Sequence, residues 1–244
     1  MLEGEKMSQC PIGTFPYTIQ QGDTLWRLAQ RYNTSVNALI ATNPNINPTN
    51  LLVGQVICIP PGKGISKAEL DLRKTMRLLW EQHVEWTRMA IISIAEDLPD
   101  VDLVINQLLR NPSDFEAALK PIYGIEKASK VSNLLKNHLE IAAELVKDAK
   151  AGNTQAAKDA EKRWYANADE IAIFLNSINP YWPKEALMEM LHEHLSLTKS
   201  EAIARINKDY ATDISLYDKV ETQALSMADA LSDGIVKQFP ELFI

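Results

Sequence analysis

The chain has 244 residues, with 25 Lys and Arg against 32 Asp and Glu, for a net charge of -7. That balance argues against a nucleic-acid partner, which needs a basic patch to meet the phosphates, and no polybasic cluster offers itself to an anionic membrane. At 46% hydrophobic residues there is enough apolar material for a sizeable core, yet no apolar run approaches the roughly 20 residues that cross a bilayer.

The opening MLEGEKMSQCPIG has no apolar stretch, so no Sec-type signal peptide is expected. Composition changes part-way along. Residues 1–63 are rich in Asn, Pro, Thr and Ile and hold four basic and three acidic residues. The acidic excess therefore lies in residues 64–244, which are rich in Ala, Leu, Glu and Lys. Pro60-Pro61-Gly62-Lys63-Gly64 separates the two parts, and such Pro/Gly punctuation reads as a linker. We therefore expect an N-terminal extension (1–14), a small module (15–61), a linker (62–65) and a second domain (66–244).

In the first module, Tyr17-Thr18-Ile19-Gln20 reads as a strand. Asp23 or Thr24 is placed to cap a helix carrying Leu25, Leu28, Ala29 and Tyr32, and Ser35 to cap a second with Val36, Leu39 and Ile40. Asn43-Pro44 stops that helix. A loop leads through Asn45-Ile46-Asn47-Pro48 to a second strand, Gln55–Ile59, closed by Pro60-Pro61. The order is β-α-α-β.

Tyr17-x-Ile19-x-x-Gly22-Asp23-Thr24-Leu25, then Leu28-Ala29-x-x-Tyr32, Asn43-Pro44-x-Ile46 and Leu51-x-x-Gly54-Gln55-x-Ile57-x-Ile59-Pro60, resembles the LysM domain. The resemblance implies two helices on a two-stranded antiparallel sheet, and binding of N-acetylglucosamine-containing glycans such as peptidoglycan or chitin. It places the sugar between the loop of Gly22, Asp23, Thr24 and Leu25 and the loop of Asn45, Ile46, Asn47 and Pro48. Physical chemistry fits that expectation. Gly22 lets the backbone approach an acetamido group, and Ile46 or Pro48 can supply a small apolar platform. Gly-Asp-Thr is also, at the least, a turn and a helix cap.

Cys10 and Cys58 are the two cysteines of the chain. Residues 10–16 can fold back so that the sulfurs meet, and a disulfide would staple a module too small for a large core. The other reading is two unrelated thiols, with Cys58 buried as a small apolar residue.

From Ser66 the sequence reads as helix after helix. The expected spans are Ser66–Ala95, Asp102–Leu109, Ser113–Leu119, Glu126–Ala149, Thr154–Ser177, a short Lys184–Leu195 and a last stretch to about Phe239. Thr198-x-x-Glu201 has the spacing of a capping box opening that stretch. The fold class is thus a small α+β module followed by an all-α domain, four long helices in a bundle with short extra helices.

At 100° per residue, His83, His138, Asn167 and Asp213 each fall on or beside the apolar stripe of a different long helix. One use of such a set is a metal site, with His83, His138 and Asp213 as ligands and Asn167 beside them, suited to Zn, Fe or Mn. The other is a buried hydrogen-bond network. Trp80-x-x-His83-x-x-Trp86-Thr87-Arg88 has the look of a functional cluster, with Arg88 pointing off the stripe toward a surface ion pair, and His194 reads as core.

No catalytic residues are assigned. The second domain has no cysteine for a papain-like peptidase, Gly-x-Ser-x-Gly and His-Glu-x-x-His are absent, and inward-facing acids are too few for a glycosidase. The expected function is a wall- or spore-associated protein that binds peptidoglycan or chitin, its helical bundle serving as an interaction or ligand-binding domain for spore-coat or wall proteins. The alternative is a metal-dependent enzyme with its site in the bundle core. A spore coat reconciles a disulfide with the missing signal peptide, because coat proteins assemble from the mother-cell cytoplasm.

Overall fold

The computed structural model describes residues 10–62 and 64–243. Residues 1–9 of the expected extension, and Lys63 of the expected linker, lie outside the described residues. The chain separates into two compact units that meet between Ile65 and Ser66.

In the first unit β1 (Phe15–Thr18) pairs antiparallel with β2 (Val56–Ile59), Tyr17 opposite Ile57. Between them lie α1 (Leu25–Arg31) and α2 (Val36–Thr42). The caps agree with the sequence reading. Thr24 Oγ1 accepts the Arg27 N–H at 3.1 Å and Ser35 Oγ accepts the Ala38 N–H at 3.0 Å, each satisfying a helix-end donor. The core is aliphatic: Ile19, Leu25, Leu28, Leu39, Ile46, Ile57 and Ile59. Cys10 and Cys58 form a disulfide whose Cα atoms are 5.5 Å apart, 48 residues apart in sequence. In the chain-entropy account, closing a loop of that length stabilises the fold by about 4 kcal/mol.

The second unit is all helical: α3 (Lys67–Ala95), α4 (Val101–Leu108), α5 (Asn111–Tyr123), α6 (Ile125–Lys150), α7 (Thr154–Ile178), α8 (Lys184–Ile206) and α9 (Tyr210–Gln238), ending in a 3-10 turn at Pro240–Phe243. It departs from the sequence reading in three places. α5 runs four residues past the expected end at Leu119, with Pro121 inside its last turn, and stops at Gly124, with φ of 79°. Asn153, not Thr154, occupies the cap position of α7. The break expected before Thr198 falls instead at Asn207–Asp209, where Lys208 takes φ of 61°. Thr198 and Glu201 therefore sit inside α8 and cap nothing. Five helices of 23 to 29 residues result, rather than four.

The packing has a threefold rhythm. α3, α6 and α8 touch one another, while α5 packs on α3 and α6, α7 on α6 and α8, and α9 on α8 and α3. Equivalent positions of the three helix pairs share one apolar layer: Met76, Val131 and Leu187 from the first helices, Phe115, Ile171 and Met227 from the second. Each pair thus buries its stripe against the other two, and no pair could bury it alone.

Candidate functional site

The turn that carries Gly22 is anchored at its foot to the Gly54–Gln55 segment that precedes β2. Ile19 N–H donates to Gln55 O at 2.8 Å, and Gly54 N–H donates to Ile19 O at 2.9 Å, carrying the sheet ladder past β1 into the Gln20–Thr24 turn. Gly22 sits at φ of 86°, a left-handed conformation that favours glycine, and its carbonyl accepts from Arg27 at 2.9 Å. Asp23 organises the turn. Its carboxylate accepts the Tyr17 hydroxyl at 2.7 Å and the Gln20 N–H at 2.8 Å. Burial pushes its pKa up, but those hydrogen bonds and the charges of Arg31 and Arg27 outweigh it and hold the carboxyl below its ordinary value.

In the second loop, Asn45, Asn47 and Pro48 are exposed, and Asn47 Oδ1 accepts from the backbone and hydroxyl of Thr49 at 3.1 and 2.9 Å. Leu25 and Ile46 face the other way. They are 3% and 9% exposed and belong to the core, so of the two residues offered as a platform, Ile46 or Pro48, only Pro48 is exposed. The exposed apolar surface of the second loop is Pro48 with Leu52 and Val53, the last two 61% and 68% exposed. Leu52 and Val53 were missed because apolar residues beside a strand read as core. The alternation needed to tell their face is broken at Gly54.

Residues 17–60 are a LysM domain. Over 50 residues the chain is 42% identical to "Secreted LysM effector Blys4" of Beauveria bassiana (strain ARSEF 2860), covering 20% of this chain and 29% of that protein. Over 44 residues it is 48% identical to "Cortical fragment-lytic enzyme" of Bacillus subtilis (strain 168), covering 18% of this chain and 10% of that one. The chain thus spans less than a third of either relative. No solved structure matches. At the level of the family, LysM domains bind chitin- and peptidoglycan-type glycans.

Beyond the LysM domain, two sets of buried polar groups stand out in the helical unit. In the first, one unit is repeated three times. His83 Nδ1 meets Asn111 Oδ1 at 3.1 Å, His138 Nδ1 meets Asn167 Oδ1 at 2.9 Å, and His194 Nδ1 meets Gln223 Oε1 at 3.1 Å, with sequence separations of 28, 29 and 29. Each amide nitrogen donates to the carbonyl four residues before its histidine: Leu79, Leu134 and Met190. With the amide oxygen thereby turned to the ring, the ring proton belongs on Nδ1. The Trp164 indole N–H accordingly donates to His138 Nε2 at 3.0 Å. Burial pushes the histidine pKa values down, to about 4 for His83 and about 3 for His138 and His194; the charge of His83 adds to the fall of the latter two, and that of His138 to the fall of His194.

Asp213 belongs to the second set, toward the C-terminal ends of α3 and α8. Its carboxylate accepts from Arg88 at 2.8 and 3.3 Å and from Arg205 at 3.4 Å, and Arg88 also donates to Glu201 at 2.6 Å. Arg88 is therefore a half-buried hub, not a surface pairing residue, and its guanidinium lies 4.7 Å from the centre of the Tyr217 ring. Burial pushes Glu201 up to about 7, against the opposing pull of Arg88.

The expected coordination set of His83, His138, Asp213 and Asn167 is not assembled. Two cations hold Asp213, and the amide of Asn167 is committed to a histidine and a backbone carbonyl. Among the described residues no group of three or more His, Cys, Asp or Glu is arranged to hold a metal ion. The histidines instead make the hydrogen-bonded network that was the other reading of their pattern.

Proposed function

We propose that the protein binds N-acetylglucosamine-containing glycan, peptidoglycan or chitin, through residues 15–61. Residues 62–65 then link this module to a helical domain (66–244) that serves as an interaction or ligand-binding unit at a cell wall or spore surface. The observation that carries the reading is the Gly22 turn anchored at its foot by the bonds of Ile19 to Gly54 and Gln55, with Gly22 exposed and exposed apolar side chains at Pro48, Leu52 and Val53. An acetamido sugar asks for that combination: amide donors and acceptors held rigid, with a small apolar surface for its methyl and ring faces. Relatives named for secretion and for lysis of cortical fragments support the placement outside the cytoplasm.

The test separates binding from folding. Val53→Asp puts a charge on the exposed surface and is expected to weaken retention on peptidoglycan or chitin about tenfold or more, with the thermal midpoint unchanged. Ile46→Ala empties a core position, and its expected effect is a loss of about 2–4 kcal/mol of stability. No retention of the intact chain on either polymer contradicts the proposal.

A further inference from the structure

The helical unit has a partly open cavity of about 260 Å³ between the C-terminal halves of α3, α6 and α8 and the N-terminal half of α7, with Leu108 of α4 completing its wall. It lies beyond the histidine layer, along the same three inner helices. Six alanines keep it open: Ala90, Ala142, Ala143, Ala149, Ala157 and Ala202. A void lined by side chains that could be larger costs stability, since its walls forgo packing contacts.

One polar atom in the wall is unspoken for. The Thr198 hydroxyl is buried, the residue only 4% exposed, and it has no hydrogen-bond partner. A helical threonine ordinarily returns its hydroxyl to the carbonyl four residues back. Thr87, at the equivalent place in α3, does so, donating to His83 O at 2.7 Å, and Thr154 donates to Gly152 O at 3.4 Å. Thr198 does not. The charged groups of the wall are accounted for differently: Glu161 and Lys199 pair at 2.5 Å, and Lys158 is exposed at the rim.

We propose that this cavity binds a small neutral amphiphile, an apolar chain or ring system with one hydroxyl or carbonyl group that pairs with Thr198. The proposal rests on reading the helical domain as a ligand-binding unit and names the class of ligand. Size is set by volume. A dry apolar cavity of about 150 Å³ accepts benzene, so 260 Å³ accommodates about ten non-hydrogen atoms. Neutrality is set at the buried end, because a carboxylate placed there would find only the Thr198 hydroxyl; among the described residues the one unpaired cation of the wall, Lys158, is exposed at the rim.

Calorimetric titration of the full chain with decan-1-ol, and in parallel with decanoate, tests it. The expected result is saturable one-to-one binding of decan-1-ol, with decanoate at least tenfold weaker. Ala202→Leu, which fills the cavity, should abolish binding. Thr198→Val should weaken it about tenfold while leaving the thermal midpoint of the unliganded protein equal or higher, since an unpaired buried hydroxyl has gone. A protein that still binds a tetramer of N-acetylglucosamine but takes up no decan-1-ol overturns the cavity proposal and leaves the glycan reading standing. Binding that survives Ala202→Leu overturns it as well, and binding indifferent to Thr198→Val, or decanoate matching the alcohol, overturns the assigned class of ligand.

Discussion

Asn43 ties α2 to β2 with one side chain. Its amide donates to Leu39 O at 2.8 Å and Cys58 O at 2.7 Å, and its carbonyl oxygen accepts the Cys58 N–H at 2.7 Å. In effect the side chain completes the outer edge of a two-stranded sheet. Asn43→Ala leaves a half-buried donor and acceptor unpaired on Cys58, and we expect it to cost about 1–3 kcal/mol in chemical denaturation. In the sequence Asn43 reads as a helix stop before a proline and as one position of the LysM-like motif, and nothing local reveals a partner fifteen residues on. The Thr198–Glu201 pair teaches the converse. Its spacing fits a capping box, but Glu201 is buried against Arg88 and Thr198 faces a cavity, so tertiary contacts decide what the local pattern does.

Among the elements, those with strong punctuation were legible. Ser66 caps α3 through the Glu69 N–H at 3.1 Å, and Gly152 precedes α7, so both starts can be read from residue type. The break between α8 and α9 was not legible, because Asn207-Lys208-Asp209 holds neither Gly nor Pro and Lys208 turns the chain in a conformation lysine seldom adopts. The threefold repeat of helix pairs was hidden for another reason. Histidine recurs at 83, 138 and 194, but the residue it bonds is Asn, Asn and then Gln, and the one three before it is Trp, Leu and Leu. What the pairs share is a geometry, one amide bridging a ring and a carbonyl a turn away. That geometry gives each amide the same two partners, a ring and a carbonyl. Asn111→Ala and Asn167→Ala should each destabilise the helical unit by about 1–3 kcal/mol, since each strands a buried ring N–H. A cost at one site and none at the other, measured by urea denaturation, would contradict that expectation.

Across the whole molecule, the three buried histidines set how it responds to acid. Above about pH 6.5 they are neutral folded and unfolded alike. Below it the unfolded chain takes up protons that the folded rings refuse until about pH 4 or 3, so stability falls as pH falls through that window. Glu201 works the other way. Folded, its carboxyl keeps a proton up to about pH 7, while the unfolded carboxyl loses it above about 4.5, so its contribution to stability rises as pH falls between those values. Three groups against one leave a net loss on the order of 2–3 kcal/mol per pH unit between pH 6 and 5, readable as a falling thermal midpoint. The proposed glycan binding lies in the other unit, the LysM domain. Its most direct test is the amide spectrum of the full chain during titration with a tetramer of N-acetylglucosamine. Saturable shifts are expected in the turn of Gly22–Leu25 and the loop of Asn45–Gly54 alone, with His83, His138 and His194 unmoved. Shifts absent from both loops, or centred on the helical unit, would contradict it.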